Sequence, residues 1–182
     1  YPVFVMKLLC FALFASAFNL LLGYTGLLSF GHAAFLGGAA YVTGHAVKVW
    51  GATPELGLLA GTLSGAVLGL VMGWFTIRRQ GIYATMITLA LAQMLFFAAL
   101  QMPFTGGEDG LQGVPRGKLF GLLDLSSDMT MYYVCLVVVV AAFLLIVRTI
   151  DSPFGQVLKG IKENEPRATS LGYDTNRFKL LA

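Results

Sequence analysis

Forty consecutive residues, 8–47, carry no formal charge. One membrane-spanning helix needs only about 20 apolar residues, so this run holds either two spans or one span and a re-entrant segment. The break falls at Gly23, Tyr24, Thr25 and Gly26, a turn-forming cluster in an otherwise apolar run. It predicts one helix near residues 4–22 and a second near 27–47. Residues 28–35 are small and polar for a lipid-facing helix and are expected to face protein or a cavity. Composition agrees with a membrane chain: 57% of residues are hydrophobic, 12% are charged, and mean hydropathy is +0.78, where a soluble domain carries roughly 25% charged residues. The formal charge of +3 does not indicate nucleic acid, because the basic residues flank apolar runs instead of forming a stripe with interleaved aromatics.

Three further spans follow. The third, near 56–77, carries Gly57, Gly61, Gly65, Gly69 and Gly73, a glycine at every fourth position. Such a row predicts a helix-packing face, since small residues let another backbone approach closely in lipid. Arg78 and Arg79 end it as a basic anchor on the cytoplasmic side. The fourth span, near 82–100, carries Thr85, Thr88 and Gln93, polar groups that are cheapest when they face a bundle interior. A glycine-rich stretch at 105–115 then predicts a structured external loop. The fifth span, near 129–147, is apolar all round and is expected to face lipid.

Residues 148–179 form the long polar segment of the chain, with six Lys/Arg and four Asp/Glu. Ser152 and Pro153 are placed to open a helix whose apolar residues Phe154, Val157, Leu158 and Ile161 recur at helical spacing. Pro166 opens a second short helix and Gly172 closes it. Putting this segment in the cytoplasm leaves eight Lys/Arg inside and four (Lys7, Lys48, Arg116, Lys118) outside, as the positive-inside rule requires of five spans. Its apolar residues Val157, Ile161, Ala168 and Leu171 have no evident partner in the chain, which marks the segment as a docking element for a cytoplasmic partner. The chain starts at Tyr1 and stops at Ala182, a few residues into a new apolar helix, and reads as a fragment. Its first apolar run is too long and lacks the cleavage pattern of a signal peptide, so it is expected to stay in the mature protein.

Catalytic constellations are scarce. His32 and His45 have no acidic or cysteine partner in their runs, so no metal site is expected. Cys10 and Cys135 read as small buried hydrophobes. No GxxxxGK[ST] phosphate loop occurs in the sequence, and no carboxylate lies inside a predicted span to carry protons. A water-exposed helix pair on a chain without its own energy source suggests a separate ATPase subunit. Ser29, His32, Thr85, Thr88 and Gln93 are the candidate lining of a transport path.

Four motifs occur in order: NLLLGYTGLLSFGHAAF at 19–35, GIYATMITLA at 81–90, Thr105-Gly106-Gly107 with Gly110-Leu111, and Ser152-Pro153-Phe154-Gly155 through Glu163-Asn164-Glu165 to Gly172. Together they resemble the permeases of ATP-binding cassette importers for branched-chain amino acids, of the LivM type, over almost the whole chain. The resemblance implies an all-α, polytopic helical bundle: one permease domain over residues 1–182, incomplete at both ends, with a cytoplasmic coupling loop at 148–177. It implies a multi-pass subunit of the bacterial inner membrane, without an ATPase site or bound cofactor. Its partners would be a homologous second permease, two ATPase subunits that hydrolyse ATP, and an extracytoplasmic binding protein. The ATPase-coupling residues would be Glu165, Pro166, Arg167, Ala168 and Gly172. Family members usually show two alanines there, whereas here Pro166 and Arg167 precede the single matching Ala168. The alternative is a secondary carrier or channel for a small polar solute such as urea or an amide. A purely structural scaffold would need no polar interior of this kind.

Overall fold

The computed structural model describes residues 1–78 and 81–182. The predicted basic anchor at Arg79 lies outside the described residues. Helix α1 (Pro2–Asn19) runs into a π-helical turn (Leu20–Thr25), and α2 (His32–Lys48), α3 (Pro54–Thr76) and α4 (Ile82–Gln101) follow. Two 3-10 turns (Pro103–Thr105 and Gly107–Asp109) and a short hairpin of β1 (Lys118–Leu119) and β2 (Leu123–Asp124) lead to α5 (Asp128–Asp151). Three short helices complete the chain: α6 (Pro153–Glu163), α7 (Glu165–Ser170) and α8 (Thr175–Leu181). The protein is an all-helical, polytopic membrane protein.

Among the described residues, four helices are long and apolar enough to cross a membrane: Pro2–Thr25, Pro54–Thr76, Ile82–Gln101 and Asp128–Asp151. The second predicted span differs from expectation, because its helix starts at His32 instead of residue 27 and has 17 residues. Gly26 is the reason: it adopts the left-handed conformation (φ 74°) and ends the π-turn. Residues 26–31 then continue without a helix: Gly26 and Leu27 donate to the Leu21 carbonyl, and side chains satisfy the last two backbone donors. The Phe30 amide donates to Thr88 Oγ1 at 3.2 Å and the Gly31 amide to Ser29 Oγ at 3.2 Å. Non-helical backbone at membrane depth is tolerated where protein or a cavity covers it. The segment still connects the two sides of the bundle. The Gly23 carbonyl accepts from Lys162 Nζ of α6 at 2.7 Å, while Lys48 at the far end of α2 donates to the Gln112 carbonyl of the loop that follows α4 at 2.6 Å.

The glycine row of α3 does not form one packing face. An α-helix advances about 100° per residue, so residues four apart drift by about 40° and the full row turns through about 160°. Gly57 and Gly61 are buried against α2. A Cβ added at Gly61 would lie 3.0 Å from the Ala39 carbonyl oxygen and press on Thr43 Oγ1, while one at Gly65 would meet only the Ala39 Cβ at 3.7 Å. At Gly69 nothing lies within 4 Å, and at Gly73 the neighbour is Leu180 of α8, 3.0 Å away. The row therefore begins on α2 and ends on α8. Gly61→Ala should destabilise the purified protein by about 1–3 kcal/mol through overpacking, with loss of the Thr43 Oγ1 to Ala39 bond (2.8 Å). Gly65→Ala should be neutral or stabilising, because removing a helical glycine gains roughly 0.5–1 kcal/mol. Thermal unfolding in detergent checks the order, and equal shifts at the two positions would contradict the packing.

Helix α5 has no buried residue and packs on α1, as expected of a lipid-facing helix. The cysteines differ from expectation. Cys10 is exposed on α1 and Cys135 half-covered on α5, with their sulfurs 3.9 Å apart, so they lie along the α1–α5 seam as free thiols and not in a core. The short helices α6 and α7 are well capped. Ser152 Oγ accepts from the Gly155 amide at 3.4 Å, and Asn164 Oδ1 accepts from the Arg167 amide at 3.1 Å. Gly172 (φ 89°) closes α7 in a Schellman motif, with Tyr173 N–H to the Ala168 carbonyl at 3.2 Å and Gly172 N–H to the Thr169 carbonyl at 3.0 Å. Gly155 sits so close to the Ile150 backbone that a side chain there would collide with it, which fixes the corner between α5 and α6.

Candidate functional site

A cavity of about 730 Å³ opens among the π-turn, residues 26–31, the start of α2, the second half of α3, the start of α4, and α8. That volume falls within the roughly 300–1,000 Å³ typical of small-molecule sites. Ser29, His32, Thr85 and Thr88 all line it. Gln93 does not. It is exposed on the outside of α4, because five residues beyond Thr88 place it about 140° around the helix, whereas Thr85 and Thr88 lie about 60° apart.

The hydroxyl groups first hold the cavity wall together. Thr88, 4% exposed, accepts from the Phe30 amide and donates to the Thr85 carbonyl at 2.8 Å, so its donor is committed. Thr85 Oγ1 donates back to the Ile82 carbonyl at 2.7 Å, and Ser29 Oγ accepts from Gly31. What these side chains can still offer a solute is the Ser29 hydroxyl proton and the Thr85 lone pairs. His32 stands at the first position of α2 with its ring edge-on to Phe14, Phe18 and Phe35, the nearest centroid 5.0 Å away, and its Nδ1 is buried without a hydrogen-bond partner. His45 is engaged at the opposite end of α2, stacked on Phe104 at 3.9 Å with Nδ1 3.1 Å from the Phe104 carbonyl oxygen. Leu28, Phe35, Leu70 and Met72 give the cavity an apolar character. Gly69 and Gly73, assigned from sequence to helix packing, line it as well. Their missing side chains provide part of its space.

Lys179 is the lining residue that the sequence pattern did not single out. It is 8% exposed, and its Nζ lies 2.5 Å from Glu165 Oε1. Removing one partner of a buried ion pair costs about 3–5 kcal/mol because the other charge is left uncompensated. The available signal was a lone lysine inside the apolar sequence Phe178, Leu180, Leu181, fourteen residues after a glutamate in the capped loop.

The pair of short helices α6 and α7 carries a second concavity of about 710 Å³, lined by Val157, Gly160, Glu163, Arg167, Ala168 and Leu171 among others. Pro166, Arg167 and Gly172 are exposed beside it, and Glu165 is half-buried through its pair with Lys179. The apolar residues divide in a way the sequence did not show. Ile161 and Ala168 are buried within the chain, at 3% and 7% exposure, whereas Leu171 is 70% exposed. Ala168 packs inward and forms part of the floor of the concavity. The side chains exposed around the concavity include Pro166, Arg167 and Leu171, with Val157 half-covered.

Fold and site define a polytopic membrane protein of the permease class: a solute-sized, largely apolar cavity among the helices, with a capped pair of short helices, α6 and α7, packed on α8 at one end of it. The family described as "Branched-chain amino acid transport system / permease component" matches residues 4–182, and the chain belongs to that family. It is 27% identical to the high-affinity branched-chain amino acid transport system permease protein LivM of Escherichia coli (strain K12) over 90% of this chain and 44% of that protein. The LivM protein of Salmonella typhimurium (strain LT2) gives the same identity and coverage. The chain thus spans less than half the length of the curated relatives it matches. No solved structure gives a significant match.

Proposed function

We propose that this chain is part of the permease subunit of an ATP-driven importer for branched-chain or other hydrophobic amino acids, working in the bacterial inner membrane. The observation that carries the proposal is the cavity. Its walls of Leu28, Phe35, Leu70 and Met72 suit an aliphatic side chain, and the few polar groups around Ser29, His32 and Thr85 suit the polar end of an amino acid. Partners follow from the same reading: a homologous second permease to complete the pathway, two ATPase subunits at α6 and α7, and an extracytoplasmic binding protein to deliver the solute. The ATPases bind and hydrolyse ATP, and this chain carries no cofactor. Among the described residues lining the cavity, Lys179 is the charged one and Glu165 neutralises it. A proton-coupled carrier of the common kind relays its protons through carboxylates at membrane depth, and the described cavity lining holds no carboxylate side chain, which supports the ATP-driven reading over that kind of carrier.

The purified full-length chain should hydrolyse no ATP by itself, because its sequence offers no phosphate loop to hold the nucleotide. Adding the ATPase subunits should restore hydrolysis that rises with leucine-loaded binding protein. Hydrolysis that persists in the isolated chain after all partners are removed would contradict the division of labour.

A further inference from the structure

Two lysine contacts join the cytoplasmic helices to the cavity walls. Lys179 of α8 lines the cavity beside Leu180, and its ammonium pairs with Glu165, the first residue of α7, at 2.5 Å. On the other side, Lys162 of α6 donates to the Gly23 carbonyl at 2.7 Å, while Lys159 lies 5.3 Å over the Tyr24 ring. Gly23 and Tyr24 belong to the π-turn, which ends where the non-helical wall of residues 26–31 begins. A carbonyl near a helix C-terminus lacks its usual intrahelical donor, and a cation there is also favoured by the helix dipole.

A buried ion pair is weak evidence for stability, because desolvation offsets most of the attraction. Its placement is more informative. Lys179 reaches from a residue of the cavity wall to the element proposed to meet the ATPase, and α8 in turn presses Leu180 against Gly73 of α3. We propose that the Glu165–Lys179 pair is the tie by which displacement of α7 reaches the cavity, with Lys162 and the Gly23 carbonyl holding the opposite wall to α6. Both lysines are positioning residues. When α7 moves against its ATPase, Glu165 draws Lys179 and α8 with it, and the wall formed by Leu180 and Gly73 shifts. This inference rests on the importer reading above.

The test uses the full-length chain in its assembled complex, with leucine-loaded binding protein as the stimulus. The readout is the ratio of stimulated to basal ATP hydrolysis, with membrane insertion and ATPase co-purification measured alongside. Glu165→Lys and Lys179→Glu should each lower the ratio by about tenfold, within the span typical of coupling between sites, and the double variant should recover most of it by restoring an ion pair of reversed sign. Glu165→Gln, which keeps the shape and loses the charge, should show the same loss without a buried like-charge contact. A reversed pair that stays as uncoupled as the single variants would overturn the tie, since electrostatic pairing is its whole basis. Single variants that respond like the parent would overturn it too. A parent complex with no response to leucine would instead overturn the importer reading, and the tie with it.

Discussion

Gly69→Trp should abolish leucine uptake by the assembled transporter while leaving membrane insertion and ATPase binding unchanged. Nothing lies within 4 Å of a Cβ added at Gly69, and the residue lines the 730 Å³ cavity with Met72, Gly73 and Thr85. An indole there meets no neighbour at its base and projects into the space a solute must occupy. Overpacking is destabilising when a side chain is forced into filled volume; at Gly69 the volume is open, so the expected loss is in transport and not in folding. Val138→Leu, on the exposed face of α5 at 42% exposure, serves as the silent control. Uptake by Gly69→Trp within twofold of the parent would show that solute does not pass through this cavity.

The second large effect is expected at Leu171. At 70% exposure, beside Arg167 and the concavity of α6 and α7, it is more exposed than Tyr173 (43%), the other large hydrophobic exposed there. Burying a leucine side chain gains about 1.5–3 kcal/mol, and placing a carboxylate in its stead adds a desolvation penalty. Leu171→Glu should weaken ATPase binding by at least about tenfold, the equivalent of 1.4 kcal/mol, without changing how the chain folds. Ala168→Asp would be a poorer probe, because Ala168 is buried within the chain and a charge there would disrupt α6 and α7 themselves. Co-purification of the ATPase with each variant measures the difference. Undiminished binding by Leu171→Glu would remove the docking surface from α7.

The architecture was legible wherever a local rule sufficed. Apolar length located the spans near α1, α3, α4 and α5. The caps of α6 and α7 followed from Ser152, Pro153, Pro166 and Gly172, residues whose conformational preferences act on their own neighbours. Position in three dimensions was harder to see. The start of α2 depends on Thr88, 58 residues from the Phe30 amide it accepts from, and no local pattern reports such a contact. The glycine row was visible, yet its turn of about 160° along α3 divides it between α2 and the cavity. Gln93 shows the limit of the rule that polar residues face inward: polarity identifies the residue, and helical phase decides its direction. Ala168 and Ile161 looked uncovered from sequence because the faces that α6 and α7 turn inward are set only when the three short helices pack. Lys179 was missed for a related reason, since its partner Glu165 had been assigned wholly to an external contact.

The central claim is that this chain forms a solute path driven by a separate ATPase. Radiolabelled leucine accumulation in proteoliposomes tests it most directly, using the full-length chain with its second permease, ATPase subunits and binding protein. The account predicts uptake against a gradient when ATP reaches the ATPase face, and none when ATP is withheld or replaced by a non-hydrolysable analogue. Leucine uptake that runs equally well without ATP would contradict it.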